Sequence, residues 1–415
     1  MNEKRYIQYR KLKAFGNKIC FMVCRMFPIK RNRISVCTFE GKSGFGCNPK
    51  YIVEELHKRN ESYEFVWLVN DMKKTFPSYI KKVPNTLWSR AYWLSTSKIW
   101  IDNYRKPYGT IKRKHQYYFQ TWHGTIGFKS TGLLRKNAFS KMAYLVSKND
   151  SDMIDYVIID SKWCEVMDPK ALVYNGKFLK TGAPRCDILY GDKTEIRKKF
   201  REKFRLNLTD NIVMFAPTFR EKSDNGVRSV YSEEWSIDFE RMILNFEKRF
   251  GGNWCLCLRI HPQLAESIIE NDKVISKIRI IDISKEDDMN ASLAAMDALV
   301  TDYSSVAMDA SFMRIPVFIY ADDIEKYISD RGSMLWDFSG ISEGIIKNNQ
   351  EMIPGIDTEL PYPVAQNNDE FEKDILGFNE DKYTKQMNKF VKDVELIFDG
   401  NASMRVADNI EYVMK

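Results

Sequence analysis

The sequence lacks the short patterns that mark the common metal and dinucleotide sites. None of the eight cysteines forms a C-x-x-C motif, and cysteine and histidine are nowhere grouped at metal-ligand spacing. The glycine pattern G-x-G-x-x-G is also absent. These absences argue against a structural zinc site and a dinucleotide-dependent enzyme. Buried, reduced thiols in a cytosolic body are favoured over disulfides, because a chain of 415 residues does not need covalent cross-links.

A long hydrophobic segment is missing as well. The longest apolar run near the start extends from Ile19 to Met26, contains Arg25 and is followed by Pro28. A membrane span needs about 20 predominantly apolar residues, and no small-residue cleavage site of a secretory signal follows this run. We therefore expect neither a spanning helix nor a signal peptide here.

Positive charge is concentrated at the start of the chain. The formal net charge is +8, but residues 1–33 hold ten Lys and Arg and one acid, so this segment carries +9 and the other 382 residues carry −1. A nucleic-acid-binding protein would present basic residues over its body. The composition therefore argues against nucleic acid as a partner.

Read as a helix, this basic segment is amphipathic. Most of its basic residues fall off a single apolar stripe, which consists of Leu12, Phe15, Ile19, Met22, Val23 and Met26. A helix of this type can lie in the interface of an anionic membrane, and we favour that interpretation. The alternative is a helix that packs on the protein's own core with a solvated basic face.

From residue 34 the chain alternates short apolar runs with helical stretches, which is typical of parallel α/β folds. The alternation stops near residue 200 and then restarts. We predict an α/β protein with two doubly wound, Rossmann-like domains that face each other across a cleft. The predicted divisions are a basic amphipathic segment at 1–33, a first domain at 34–200, a second at 201–380, and C-terminal helices at 381–415 that return toward the first domain.

Unusual residues follow four of the predicted strands, where ligands of open parallel sheets bind. The four motifs are Gln120–Thr125, Phe215–Arg220, Leu258–Pro262 and Leu299–Ser305. Two of only four histidines, His123 and His261, lie in these motifs. A single histidine at a strand end is more often structural than catalytic, but one in each half of the chain favours a functional pair.

The motif Asp302-Tyr-Ser-Ser305 opens a predicted helix. A helix N-terminus offers unpaired N–H groups and a partial positive charge, which suit a phosphate, and the two serines add hydroxyl donors. The alternative is that Ser304 only caps the helix. Asp309, one turn from Ser305, is placed to accept hydrogen bonds from a ribose.

Taken together, these motifs resemble the CDP-glycerol glycerophosphotransferase family, which comprises polyol-phosphate primases and polymerases of teichoic acid and capsule synthesis. The resemblance spans roughly residues 34–335. The matching stretches are Trp122–Thr125, Thr181–Asp187, Ala216–Arg220, His261-Pro262 and Ala298–Tyr320. One departure follows Thr125, where the family's Pro-Leu-Lys-Lys is replaced by Ile126-Gly-Phe-Lys129.

The resemblance implies a GT-B fold at the cytoplasmic face of the membrane. It implies transfer of a polyol phosphate from a CDP-polyol, such as CDP-glycerol, to a lipid-linked glycan acceptor, with release of CMP. His123 then corresponds to the general base and His261 to a second histidine near the donor phosphates. The residues predicted to bind the donor are Arg185, Thr218, Arg220, Asp302, Ser304, Ser305 and Asp309, and those predicted on the acceptor side are Gly124, Thr125 and Lys129.

These residue types suit that chemistry on independent grounds. A histidine with an ordinary pKa near 6.5 can take a proton from a hydroxyl at cellular pH, and cationic side chains can neutralise the charge on a transferring phosphoryl group. No group of carboxylates in the sequence requires a metal, so we predict a metal-independent reaction without a cofactor. Two alternatives remain open, a GT-B glycosyltransferase with a nucleotide-sugar donor and a non-catalytic membrane adaptor.

Overall fold

The structure is a computed structural model of the chain. It describes residues 3–218, 221–224, 227–230, 236–260, 278–331, 333–338, 346–351, 353 and 355–415.

A seven-stranded parallel sheet forms the first half of the chain, in the order β3-β2-β1-β4-β5-β6-β7. Its inner strands are buried on both faces and carry continuous apolar runs, such as Phe65–Val69 in β2 and Ile99–Ile101 in β4, which is characteristic of parallel sheets covered by helices. The strands are β1 Lys30–Cys37, β2 Glu64–Val69, β3 Ile80–Pro84, β4 Ser97–Asp102, β5 Tyr117–Gln120, β6 Tyr156–Ile159 and β7 Lys177–Lys180.

A six-stranded parallel sheet forms the second half, in the order β12-β11-β8-β13-β14-β18. Two smaller sheets also belong to this half of the chain. One is a hairpin of β9 and β10, and the other is an antiparallel sheet of β15, β16 and β17. The strands are β8 Asn211–Phe215, β9 Glu221–Asp224, β10 Val227–Val230, β11 Trp254–Leu258, β12 Ile280–Asp282, β13 Ala298–Thr301, β14 Val317–Tyr320, β15 Trp336–Asp337, β16 Ile346–Asn348, β17 Glu359–Leu360 and β18 Val364–Ala365.

Helices connect the strands and cover the sheets. The α-helices are α1 Glu3–Cys24, α2 Cys47–Arg59, α3 Leu87–Thr96, α4 Lys141–Ser151, α5 Lys162–Leu172, α6 Thr194–Lys203, α7 Phe239–Phe250, α8 Met289–Leu293, α9 Val306–Phe312, α10 Ile324–Arg331, α11 Asn368–Leu376, α12 Glu380–Asp393 and α13 Ala402–Met414. Three 3-10 helices lie at Phe39–Gly41, Gly132–Ala138 and Pro184–Leu189.

The two faces of the first sheet pack on separate helices. One face, with Ile34 and Val36 of β1, packs on α2 and α13, and the other face packs on α1 and α3. A third apolar cluster is continuous from α5 through the second sheet. The two halves are therefore joined by apolar packing as well as by the chain itself.

This architecture confirms the predicted α/β fold with two doubly wound parallel sheets. Sequence analysis missed β3, whose central Lys81 and Lys82 and final Pro84 are typical of an edge strand and break the apolar pattern. It also missed β16 to β18, each only two or three residues long.

The two ends of the chain both contact the first half. α13 packs on α2, and α1 packs on α3 through a buried face that includes Asn17 and Phe21. α13 also contacts β4 of the first half, whereas α12 contacts β17 of the second half. No helix in the described part of the chain combines the length and the apolar character needed to cross a bilayer.

Candidate active site

The carboxyl ends of the two sheets meet at a cavity of about 530 Å³. The loop that follows β5 enters it from the first half and the loop that follows β13 enters from the second. Eight of the residues singled out in the sequence line this cavity, namely His123, Gly124, Thr125, Lys129, Arg185, Ser304, Ser305 and Asp309. His261 and Arg220 lie outside the described residues, so their predicted roles stay predictions.

His123 is held in one tautomer by the backbone. Its Nδ1 lies 2.7 Å from the carbonyl oxygen of Asn103. Because a carbonyl can only accept a hydrogen bond, Nδ1 donates its proton and Nε2 keeps a free lone pair. The ring is therefore oriented and protonated as a general base requires.

The surroundings of His123 keep the ring neutral. Burial is the main cause that lowers its pKa to about 4; the nearby charges of Arg185, Arg105 and Lys129 act in the same direction, and the hydrogen bond to the Asn103 carbonyl opposes them. At cellular pH the imidazole is therefore uncharged. The same three cations make this part of the cavity attractive to phosphate groups.

Aromatic rings fix the imidazole from several sides. The ring centroid of His123 lies 4.4 Å from that of Trp122, 5.0 Å from that of Phe39 and 5.6 Å from that of Tyr104. Trp122 itself has a left-handed backbone with φ +50°, an uncommon conformation that large residues adopt only where the surrounding structure enforces it. The guanidinium of Arg105 lies 4.9 Å over the Trp122 ring.

Sequence analysis missed Asn103, Tyr104 and Arg105. All three follow β4, and the rule that ligand sites lie beyond the carboxyl ends of parallel strands would have drawn attention to them. Their contacts with the His123 loop come from a neighbouring strand.

The Ser304–Ser305 loop lies directly opposite the His123 loop. A Cβ added to Gly124 would lie 3.6 Å from the Oγ of Ser305. The Oγ of Ser304 accepts the backbone N–H of Val306 at 3.4 Å, so this serine does act at the start of α9. Asp302 accepts the backbone N–H of Thr218 at 2.6 Å, and through that bond it holds the 216–218 loop.

Arg185 and Asp309 bond to each other across the cavity. Asp309 also accepts hydrogen bonds from Asn290 Nδ2 at 3.1 Å and from Thr125 Oγ1 at 3.4 Å. Burial alone would lower the pKa of Arg185, but the Asp309 carboxylate outweighs burial and raises it well above its usual range. Arg185 Nη1 is buried and has no hydrogen-bond partner within the described residues. The predicted contact of Asp309 with a ribose stays a prediction, because the structure shows its oxygens bonded to protein groups.

Lys129, which was predicted on the acceptor side, lies in the first half of the chain and contacts the second half. Its Nζ lies 3.5 Å from Thr218 Oγ1 of the second half. The preceding Phe128 accepts the backbone N–H of Leu335 at 2.8 Å, and Gly127 accepts the indole N–H of Trp336 at 3.0 Å. The segment where the sequence departs from the family pattern thus packs on the second half.

Known proteins resemble this chain over most of its length. A family model described as CDP-glycerol:poly(glycerophosphate) glycerophosphotransferase matches residues 19–412. The chain is 25% identical to the teichoic acid poly(glycerol phosphate) polymerase of Bacillus spizizenii, over 88% of this chain and 93% of that protein. It is 26% identical to the teichoic acid glycerol-phosphate transferase of Staphylococcus aureus, over 92% of this chain and 93% of that protein.

Longer relatives and a solved structure extend the comparison. The chain is 27% identical to the teichoic acid poly(glycerol phosphate) polymerase of Staphylococcus epidermidis, over 93% of this chain but only 51% of that protein. The solved structure of the wall teichoic acid polymerase TagF superimposes with a TM-score of 0.76 at 23% identity, over 99% of this chain and 98% of that one. This superposition shows that the two chains share their fold.

Proposed function

This chain belongs to the CDP-glycerol:poly(glycerophosphate) glycerophosphotransferase family, and we propose that it transfers glycerol phosphate from CDP-glycerol to a lipid-linked acceptor, releasing CMP. The family makes the chain a transferase rather than a non-catalytic adaptor, and the names of its relatives support a role in teichoic acid synthesis. The observation that carries the finer proposal is the position of His123, which bonds through Nδ1 to Asn103, leaves Nε2 without a partner among the described residues, and lines one cavity with Arg185, Ser304 and Ser305.

In the proposed reaction an acceptor hydroxyl oxygen attacks the glycerol-bearing phosphorus of the donor. A new P–O bond forms, and the bond between this phosphorus and the oxygen of the CMP phosphate breaks. Nε2 of His123 takes the hydroxyl proton, and the electron pair of the broken bond leaves with CMP. A correctly placed base of this kind contributes roughly 10²–10⁴-fold to a rate.

Charge builds up on the phosphoryl oxygens during this transfer. Arg185 and Lys129 supply positive charge, and the hydroxyls of Ser304 and Ser305 supply donors at the same cavity. We propose that these groups bind the donor diphosphate and that His261 and Arg220 join them. With this charge supplied by side chains, the proposed reaction needs no metal ion and no cofactor.

We further propose that the enzyme works at the cytoplasmic face of the membrane and that α1 holds it there. Five side chains of the apolar stripe lie in α1 and are 43–70% exposed, and Met26, just beyond the end of the helix, is 82% exposed, while the opposite face of α1 is buried. The segment also carries the +9 charge of residues 1–33. Exposed apolar surface with adjoining positive charge suits an anionic lipid interface.

The decisive experiment is a donor panel. Purified protein is incubated with CDP-glycerol, CDP-ribitol or UDP-glucose and a short oligo(glycerol phosphate) on an alkyl anchor, and release of CMP or UDP is followed with mass spectrometry of the acceptor. We expect CMP release and an acceptor heavier by one glycerol phosphate. His123→Asn serves as the matched inactive control. Release of UDP with sugar transfer would instead establish the glycosyltransferase alternative. Turnover of CDP-ribitol in place of CDP-glycerol would identify ribitol as the polyol of the donor.

A further inference from the structure

A carboxyl group that the proposed mechanism does not use lies in the same cavity. Asp168 belongs to α5 in the first half of the chain and lines the cavity with His123. Its side chain is half-buried, and its carboxyl has no hydrogen-bond or ion-pair partner within the described residues. Burial and the neighbouring charge of Asp160 raise its pKa to about 8.

Asp150, a fully buried carboxyl in the same half of the chain, differs from Asp168 in having partners. Its pKa is also raised, but its Oδ1 accepts the backbone N–H of Lys106 at 2.9 Å and the hydroxyl of Tyr118 at 3.3 Å. Buried polar groups normally find such partners, since leaving them unpaired costs free energy. The carboxyl of Asp168 makes no such hydrogen bond to the described residues.

A second unpaired group lies on the same helix. Trp163 is 97% buried and lines the cavity, and its indole N–H has no hydrogen-bond acceptor within the described residues. The helix that carries both groups is held at both ends, since Ser161 caps its start and Arg105 donates to the carbonyl of Ala171 at 3.2 Å. Two residues of this helix that line the cavity, Asp168 and Trp163, therefore carry polar groups without a partner among the described residues.

The chemistry of the cavity indicates which part of the reaction these groups serve. A carboxylate would repel the phosphates of either substrate, whereas a protonated carboxyl both donates and accepts a hydrogen bond and adds no charge. Hydroxyl groups are the complementary ligands. Asp168 shares the first half of the chain with the base His123, while Ser304 and Ser305 belong to the second half.

We propose that Asp168 is a specificity-determining residue that hydrogen-bonds a hydroxyl of the acceptor's terminal polyol, next to the hydroxyl that attacks. This inference rests on the proposed function. On this proposal, the part of the cavity wall that α5 forms is the subsite that distinguishes a terminal glycerol from an alcohol with fewer hydroxyls.

The test compares two synthetic acceptors. One ends in glycerol phosphate and the other in propane-1,3-diol phosphate, which lacks the middle hydroxyl, and both are assayed by CMP release at saturating CDP-glycerol. A site built to bond a substrate hydroxyl discriminates strongly against an analogue without it, so we expect the wild type to favour glycerol by about tenfold or more in kcat/KM. Asp168→Ala should abolish this preference by raising the KM for the glycerol acceptor alone.

Two further variants separate a binding role from a structural one. Asp168→Asn keeps a neutral group that donates and accepts hydrogen bonds, so it should retain the preference for glycerol. Above about pH 8 the carboxyl of the wild type ionises and its acceptor KM should rise, whereas the acceptor KM of Asp168→Asn should stay level. Asp374→Asn is the matched control, since Asp374 is a half-buried carboxyl with a pKa raised to about 6 by burial and Glu370, and it lines a different cavity.

The outcomes distinguish the two proposals. An Asp168→Ala variant that still prefers glycerol as the wild type does would overturn the role of Asp168 and leave the proposed function intact. If that variant does not fold, an Asp168→Asn enzyme whose acceptor KM rises with pH like the wild type would overturn it equally. Absence of CMP release from CDP-glycerol by the wild type would remove the proposed function and this inference together.

Discussion

Arg185 and Asp309 form a buried, two-point ion pair between the two halves of the chain. The Nε and Nη2 atoms of Arg185 lie 2.8 and 2.9 Å from Oδ2 and Oδ1 of Asp309. Arg185 lies in the 3-10 helix that follows β7, and Asp309 lies in α9. This paired geometry fixes the relative position of the two walls of the active-site cavity.

Removing one charge of this pair should destabilise the protein strongly. Asp309→Asn leaves the buried guanidinium without a counter-charge, and we expect a loss of about 3–5 kcal/mol in the free energy of unfolding. Urea denaturation followed by circular dichroism measures it. Asp152→Asn is the matched control, because Asp152 pairs with Lys148 where both side chains are at least half exposed, and it should change stability very little. Equal losses in the two variants would contradict this reading of the pair.

The pH dependence of the reaction should reveal the lowered pKa of His123. In the proposed mechanism the neutral imidazole is the active form, and its pKa of about 4 lies below the ordinary value. We therefore expect kcat/KM to stay level as the pH falls from about 7 to about 5 and to drop only near pH 4. An enzyme that loses half its activity near pH 6.5 would show that His123 is not held in this way.

The same shift should appear in stability. Because the folded pKa is below the unfolded value of 6.5, the folded state binds fewer protons between these two values. The contribution of His123 to stability is therefore complete above about pH 6.5 and is lost as the pH falls toward 4. His123→Gln should lose less stability than the wild type over this interval in thermal unfolding scans. Parallel losses would contradict the prediction.

Gly46 should be intolerant of any side chain. A Cβ at this position would lie 2.5 Å from the backbone carbonyl oxygen of Asp287, which cannot move aside as the end of a side chain can. Gly46→Ala should therefore separate the 41–47 loop from the second half and reduce kcat/KM by about tenfold or more, as small misplacements of substrate-positioning groups do. Gly16→Ala is the control, since a Cβ at Gly16 meets no described atom within 4 Å and should slightly favour α1.

Metal removal should leave the activity unchanged. In the proposed mechanism Lys129 and Arg185, which line the cavity, take the role that a divalent cation plays in other phosphoryl transfers. We expect CMP release in EDTA to match that in magnesium buffer within about twofold, a difference below the 10²–10³-fold effect of removing one charge-stabilising group. A loss that added magnesium restores would refute metal independence.

Membrane binding should depend on the apolar stripe of α1. Leu12→Asp and Met22→Asp each replace a side chain that is more than 60% exposed, so folding is preserved while about 1.5–3 kcal/mol of burial in lipid is lost. We expect binding to vesicles that contain phosphatidylglycerol to weaken about tenfold or more for each. The control Leu208→Asp adds the same charge at a leucine that is 68% exposed outside α1. Undiminished binding by both α1 variants would refute the interfacial helix.

Local patterns in the sequence predicted those parts of the fold and site that depend on local physics. Apolar runs long enough to be buried, such as β2 and β11, were recognised because the parallel strands of a covered sheet need apolar residues on both faces. The polar edge strand β3 was missed because its lysines face solvent at the edge of the sheet. His123 and Ser305 were found from their places after strands, and the structure lines one cavity with both.

The amino-acid sequence by itself determined the alternation of strands and helices, the residues that follow the strand ends and the apolar stripe of α1, because each depends on residues close together along the chain. Only the tertiary structure decided that Asn103 orients His123, that Arg185 bonds to Asp309 and that Asp168 lines the cavity without a partner in the described part of the chain. These relationships join residues from separate strands and helices. Their energies depend on distance and burial in three dimensions, which no periodicity along the chain encodes.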